Sequence, residues 1–145
     1  MILDKIFTNI QDSLSLFSNE KIGMLENSIY KKDDGKYYIK SNSKGEQKKM
    51  VYSEKKSAPE EIVRQLYLNR LINKYKYPKE LIDVETIVNF GREKKQADMI
   101  IYKDDKITPY ILVEVKAPNV KNDAKQLKSY LNAEGAEIGV VIKRL

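Results

Sequence analysis

The pattern of apolar and polar residues over residues 1–56 predicts a helix followed by a small sheet. Apolar residues with helical spacing favour an amphipathic N-terminal helix that packs on the rest of the domain. Two short β-prone segments then flank Asp34-Gly35, a dipeptide typical of a hairpin turn, and the segment KKMVYS from Lys48 predicts a third strand. The residues with helical spacing are Ile6, Ile10, Leu14 and Phe17.

From Ser57 onward the pattern predicts elements in the order α-β-β-β-α-β. A helix begins at Ser57, which fits a capping box with Glu60, while Pro59 occupies the first turn. A second helix is predicted over residues 122–134. A three-stranded meander, a crossover helix and a returning strand indicate an α/β fold with a mixed central sheet flanked by helices. The strand segments are LIDVETIVNF, ADMIIYK, YILVEVK and EIGVVIK.

The strand YILVEVK carries two charged residues, Glu114 and Lys116, on one face, because side chains alternate along a strand. Burying an unpaired charge costs free energy, so a core strand that contains both residues indicates that they have a functional role. Asp98, which we expect at the start of the neighbouring strand, adds a second carboxylate. Together with the carbonyl of Val115, these groups form a set of hard oxygen ligands that suits Mg²⁺.

Lys116 beside this predicted site is suited to orient a phosphate or to stabilise charge during phosphoryl transfer. A structural alternative treats Glu114 and Lys116 as an ion pair with no chemical role. Elsewhere in the chain Glu-x-Lys occurs at Glu46, Glu54 and Glu93, outside apolar runs, so the tripeptide alone carries no information.

Composition narrows the chemistry of the 145-residue chain, whose length predicts one domain with a real core. It contains no cysteine and no histidine, which excludes disulfides, thiolate metal sites, His-ligated zinc and imidazole bases. A net charge of +6 permits a nucleic-acid partner. The alternative is that the many lysines reflect the base composition of the genome and have no function in binding. No apolar run approaches the roughly 20 residues of a membrane helix, and no signal peptide is evident, so we expect a cytoplasmic protein without a membrane partner.

Residues Ser57 to Ile142 resemble the N-terminal PD-(D/E)xK nuclease domain of the type I restriction endonuclease R subunit. The resemblance implies a restriction endonuclease-like fold, with a nuclease core over residues 57–145. Residues 1–56 are then an extension of a helix and a small hairpin packed on that core. The segments that carry the resemblance are APEEIVRQLYLNRLINKYKYP, ADMIIY, ILVEVKAP and QLKSYLNAEGAEIGVVI.

This resemblance implies that Asp98 and Glu114 bind the metal ion and that Lys116 is the catalytic lysine. The implied cofactor is Mg²⁺, for which Mn²⁺ is expected to substitute. Glu61 matches an acid that some relatives use as a further metal ligand, although a carboxylate is also favoured at a helix N-terminus.

The family also has a Gln-x-x-x-Tyr element on the helix after the lysine, matched here by Gln126 and Tyr130. Residues four apart share a helix face, and the pair is expected to contact the DNA backbone or to organise the site. The chain departs from the family pattern at Gln96, where relatives carry a basic residue. Lys94 and Lys95, just upstream, are therefore the candidates for a phosphate contact.

The implied activity is Mg²⁺-dependent endonuclease hydrolysis of phosphodiester bonds in double-stranded DNA. The implied protein partners are the specificity and modification subunits of a restriction complex. A Gly-x-x-x-x-Gly-Lys-Ser/Thr loop is absent, which leaves either a fragment of a larger restriction subunit or a stand-alone relative. The alternative is a non-cleaving module of the same fold for DNA binding or subunit docking.

Overall fold

A computed structural model describes residues 1–90, 93–116, 128, 132 and 135–143, with the side chains of 88–95 and 143 excepted. The chain forms two compact units, Met1–Tyr75 and Lys76–Lys143, and each contains one sheet. Helices and sheets together confirm the expected α/β class. The sequence-based division between residues 56 and 57 stays a prediction. Within the described ranges, every helix is too short or too polar to cross a bilayer.

The first unit begins with three helices, α1 (Leu3–Ile6), α2 (Ile10–Ser13) and α3 (Asn19–Ser28), where the periodicity predicted one. Two capping side chains account for the interruptions. Asn9 Oδ1 accepts a hydrogen bond from the Asp12 N–H at 3.2 Å, and Ser18 Oγ accepts one from the Lys21 N–H at 3.2 Å. Of the four apolar residues with helical spacing, three are nevertheless buried, as the pattern predicted: Ile6, Leu14 and Phe17.

A small antiparallel sheet follows, made of β1 (Tyr30–Lys31), β2 (Tyr37–Lys40) and β3 (Lys48–Tyr52) in chain order. The predicted turn is confirmed, because Gly35 adopts a φ of 81° that a glycine accepts without strain. Asp34 Oδ1 accepts the Lys36 N–H at 2.9 Å and closes the turn. The hairpin and the third strand therefore agree with the sequence.

The long helix α4 (Pro59–Asn73) completes the first unit, and its start corrects one prediction. The N-cap is Ala58, and no side chain of the described residues caps the helix, so the capping box at Ser57 was wrong. Ser57 instead forms a β-bridge with Tyr52. Pro59 begins the helix because its fixed φ suits the first position and it has no N–H to satisfy.

The second unit is built on a four-stranded sheet, which a 3-10 turn (Lys79–Leu81) precedes. Its four strands are arranged in chain order, and the third is antiparallel to the second and parallel to the fourth, which confirms the mixed sheet. The predicted helix over residues 122–134, which would connect these parallel strands, lies outside the continuous described ranges. The strands are β4 (Ile82–Phe90), β5 (Glu93–Tyr102), β6 (Pro109–Lys116) and β7 (Ile138–Lys143).

Strand β6 has hydrogen-bonded neighbours on both edges, and its residues Ile111–Val115 are all buried. Both of its faces are therefore covered, as is usual for a strand with a parallel neighbour inside an α/β fold. Apolar side chains fill most positions, but Glu114 occupies one of them. The core strand thus carries an acid where packing alone would favour a hydrocarbon.

Candidate functional site

Glu114 and Lys116 lie at the C-terminal end of β6, on the face that also carries the fully buried Leu112. Glu114 is only 3% exposed, whereas Lys116 is half-buried. The Lys116 Nζ lies 3.7 Å from the Glu114 Oε2, so the lysine partly compensates the buried carboxylate. The alternation of the strand thus puts both charges on one face, as the sequence predicted.

Asp98 lies inside β5, not at its start as expected from the sequence, because the strand already begins at Glu93. The β5–β6 register pairs Met99 with Val113, and one further step of this register sets Asp98 opposite Glu114. The Asp98 Oδ2 accepts a hydrogen bond from the Val115 N–H at 2.7 Å. This bond holds the Asp98 carboxylate against β6, so the fold brings the two predicted acids together.

The electrostatics of Glu114 reflect this crowding. Burial raises the pKa of Glu114 from 4.5 to about 7, and the neighbouring charge of Asp98 adds to the increase, whereas Lys116 opposes it. The Glu114 Oε1 is buried, and none of the described residues gives it a hydrogen-bond partner. A buried carboxylate oxygen without a partner costs free energy, and a cation would remove that cost.

The donor atoms fit a hard divalent cation such as Mg²⁺, because both side chains supply carboxylate oxygens. The described part of the chain contains no group of three or more acidic, histidine or cysteine side chains suited to a metal ion. Two carboxylates are compatible with Mg²⁺, which usually keeps several water ligands. The Val115 N–H is committed to Asp98, and the role of its carbonyl as a ligand stays a prediction.

Glu61, the other proposed metal ligand, lies in α4 of the first unit. Its buried side chain accepts hydrogen bonds from the Arg64 guanidinium and, at 3.2 Å, from the Gln65 Nε2. Gln65 in turn donates to the Ser41 Oγ at 2.9 Å, which ties the helix to the loop before β3. These contacts explain the burial of Glu61 within its own unit, and its metal-binding role stays a prediction.

The nucleic-acid contacts predicted from the sequence fall largely outside the described residues. Gln126 and Tyr130 are both outside them. Lys94 and Lys95 belong to β5, where they pair with Asn89 and Val88, but their side chains are not among those described. All four assignments remain predictions.

Glu85, which the sequence did not single out, is a strand residue with left-handed backbone at φ 53°. In the β4–β5 register Val84 pairs with Met99 and Thr86 with Ala97, so Glu85 is opposite Asp98, and this pair is missing from the ladder. Such a conformation is uncommon for a non-glycine residue and is concentrated near functional sites. A glutamate in an alternating strand gives no signal of it in the sequence.

The chain matches a known protein family. The family model described as Type I restriction enzyme R protein N terminus (HSDR_N) matches residues 59–143, which include α4, the four-stranded sheet and the Asp98–Glu114 pair. No curated protein and no solved structure is significantly similar to the chain.

Proposed function

Because the chain belongs to the family of type I restriction enzyme R protein N termini, we propose that it is a Mg²⁺-dependent endonuclease of the PD-(D/E)xK class. Its substrate would be double-stranded DNA, and Mn²⁺ would substitute for Mg²⁺. The observation that carries the proposal is the carboxylate pair of Asp98 and Glu114 beside Lys116, in which the buried Glu114 Oε1 has no hydrogen-bond partner within the described part of the chain. When bound, the ion would supply Lewis acidity and lower the pKa of a water molecule.

The side chains of the site would have separate roles in this reaction. Asp98, oriented by the Val115 N–H, and Glu114, held within the sheet, would bind the ion. Lys116 places its ammonium group 3.7 Å from Glu114 and would stabilise negative charge on a phosphate oxygen of the substrate. Gln126, Tyr130, Lys94 and Lys95 would contact the DNA backbone.

The family relationship connects the chain to restriction systems. The specificity and modification subunits of a restriction complex are therefore the protein partners that we propose. A cytoplasmic location follows from a function that acts on invading DNA in the cell.

Titration of Mn²⁺ by calorimetry and nicking of supercoiled plasmid in Mg²⁺ test the proposal. The parent protein should bind the ion and nick the plasmid, and Asp98→Asn or Glu114→Gln should lose both properties while remaining folded. Glu80→Gln, which neutralises an exposed acid of the same unit, is the matched control and should behave like the parent. A parent protein that binds no divalent ion and leaves the plasmid intact would point to the structural ion pair instead. Ion binding and DNA binding without cleavage would favour the non-cleaving module.

A further inference from the structure

The positive charge of this protein is concentrated in one short segment. Residues 31–56 contain nine lysines and four acidic residues, a net charge of +5, whereas the whole chain has a net charge of +6. A lysine-rich composition by itself would spread these charges along the sequence. Such a concentration is the electrostatic signature of a surface that binds a polyanion.

Within this segment, the strands of the small sheet carry only lysines as charged residues, and the acids lie in the connections. Lys40 and Lys48 are directly opposite each other in the β2–β3 register, and both are exposed. Like charges in this arrangement destabilise a sheet. Glu46 pairs with Lys40 at 3.2 Å and offsets part of the repulsion, and a bound anion would offset more.

These lysines share the outward face of the small sheet. Tyr38 is half-buried and lies two residues before Lys40, on the same face, whereas the adjacent Ile39 points to the opposite face and is buried. The Lys32 Nζ lies 4.1 Å from the centroid of the Tyr38 ring. A cation–π contact holds an ammonium group in place without cancelling its charge, although Asp34, which accepts the Tyr38 O–H at 2.7 Å, offsets part of the charge of Lys32.

We propose that this basic face, formed by Lys32, Lys40 and Lys48, binds the phosphate backbone of duplex DNA. The inference rests on the proposed function in one respect, the choice of duplex DNA as the polyanion. Lysine ammonium groups act as point charges toward phosphates and carry no base-specific geometry. The basic face would therefore hold DNA without sequence preference and independently of the metal ion.

Fluorescence anisotropy with a short labelled duplex, in EDTA and at several NaCl concentrations, tests the proposal without any cleavage. In the triple variant Lys32→Gln/Lys40→Gln/Lys48→Gln, the slope of log K against log salt should become flatter by roughly 2 to 3. The control variant Lys21→Gln/Lys76→Gln/Lys106→Gln removes the same charge from exposed sites outside residues 31–56. It should keep the slope of the parent.

A charge-preserving variant, with arginine at the three positions of the basic face, should also keep the parent slope and excludes a folding artefact. The proposal is overturned if the glutamine variant keeps that slope, if the control variant loses as much, or if polyglutamate displaces the protein as well as unlabelled duplex does. The two proposals can fail separately. If the parent protein binds DNA through the basic face but never cuts it, only the nuclease assignment is overturned. If the parent protein cuts DNA and the glutamine variant keeps the parent's salt slope, only the role of the basic face is overturned.

Discussion

At the scale of single residues, Glu114 connects folding to chemistry. A carboxyl group that is 3% exposed, faces Asp98 and has one oxygen without a partner among the residues that the structure describes is unfavourable in its ionised form. Packing alone would favour an apolar residue at this strand position, so the free-energy cost of burying Glu114 indicates that its carboxylate has a functional role. The same cost makes the residue measurable through the stability of the metal-free protein.

Between pH 4.5 and 7 the stability of the metal-free protein should fall. The folded protein keeps the Glu114 proton up to a pKa of about 7, whereas the unfolded chain loses it near 4.5. The folded state thus binds more protons, and the free energy of unfolding decreases as pH rises, by at most about 1.4 kcal/mol per pH unit. Urea unfolding in EDTA at a series of pH values measures this slope.

Glu114→Gln should remove that contribution, because an amide does not titrate, while Glu80→Gln should retain it. Identical pH profiles for the parent protein and Glu114→Gln would contradict the burial-driven pKa of Glu114.

A second residue-scale prediction separates metal binding from catalysis. Lys116→Ala should keep or increase the affinity for Mn²⁺, since a cation that repels the ion is lost, but should slow plasmid cleavage by about 10²–10³-fold. Lys106→Ala, at an exposed turn position, is the control and should cleave at the parent rate. Calorimetry and nicking rates on the same preparations measure both properties, and a Lys116→Ala protein with parent activity would disprove the role of the lysine.

At the scale of elements, β4 contains a conformation that a strand normally avoids. The left-handed backbone at Glu85 interrupts the pairing with β5 at the position opposite Asp98. Irregular strand geometry of this kind often lies beside functional sites, where it changes the direction of a neighbouring side chain. The backbone of β4 therefore belongs to the description of the site, although Glu85 is not one of the proposed ligands.

Replacing Glu85 by glycine should cost less stability than replacing Thr86 by glycine. At position 85 the relief of left-handed strain, about 1 kcal/mol, offsets the entropic cost of glycine, about 0.5–1 kcal/mol. Thr86 pairs regularly with Ala97, so its replacement incurs the entropic cost and loses side-chain packing. Urea unfolding of both variants at one pH decides the comparison, and equal losses would exclude backbone strain at Glu85.

At the scale of the whole molecule, binding of the proposed metal ion should couple to global stability. Mg²⁺ or Mn²⁺ at about 100 times its dissociation constant should stabilise the parent by about 2.7 kcal/mol and raise its melting temperature. Glu114→Gln should melt above the parent in EDTA near pH 8, because it lacks the buried charge, yet should not respond to the ion. A melting temperature that rises equally in both proteins would place the ion at another site.

The sequence alone determined the features that depend on local periodicity and on turn chemistry. The alternation in YILVEVK correctly predicted a strand with Glu114 and Lys116 on one face, and Asp34-Gly35 correctly marked the hairpin. The three-stranded meander and the mixed sheet were also predicted, because short connections and crossover rules leave few topologies, whereas the position of the last strand beside β6 was not. The strand alternation and the turn are local, because each is specified by residues within a few positions of one another.

Only the tertiary structure decided what depends on pairing between distant segments. Asn9 interrupts the predicted N-terminal helix, Ser18 caps a further helix that begins after it, and Ala58 replaces Ser57 as the N-cap of α4, because each cap depends on where the chain packs. The register of β5 on β6 sets Asp98 beside the Val115 N–H and Glu114. The hydrogen bond from Val115 to Asp98 joins residues that are 17 positions apart in the chain. No local sequence pattern predicts such a contact, since its geometry exists only once the strands are paired.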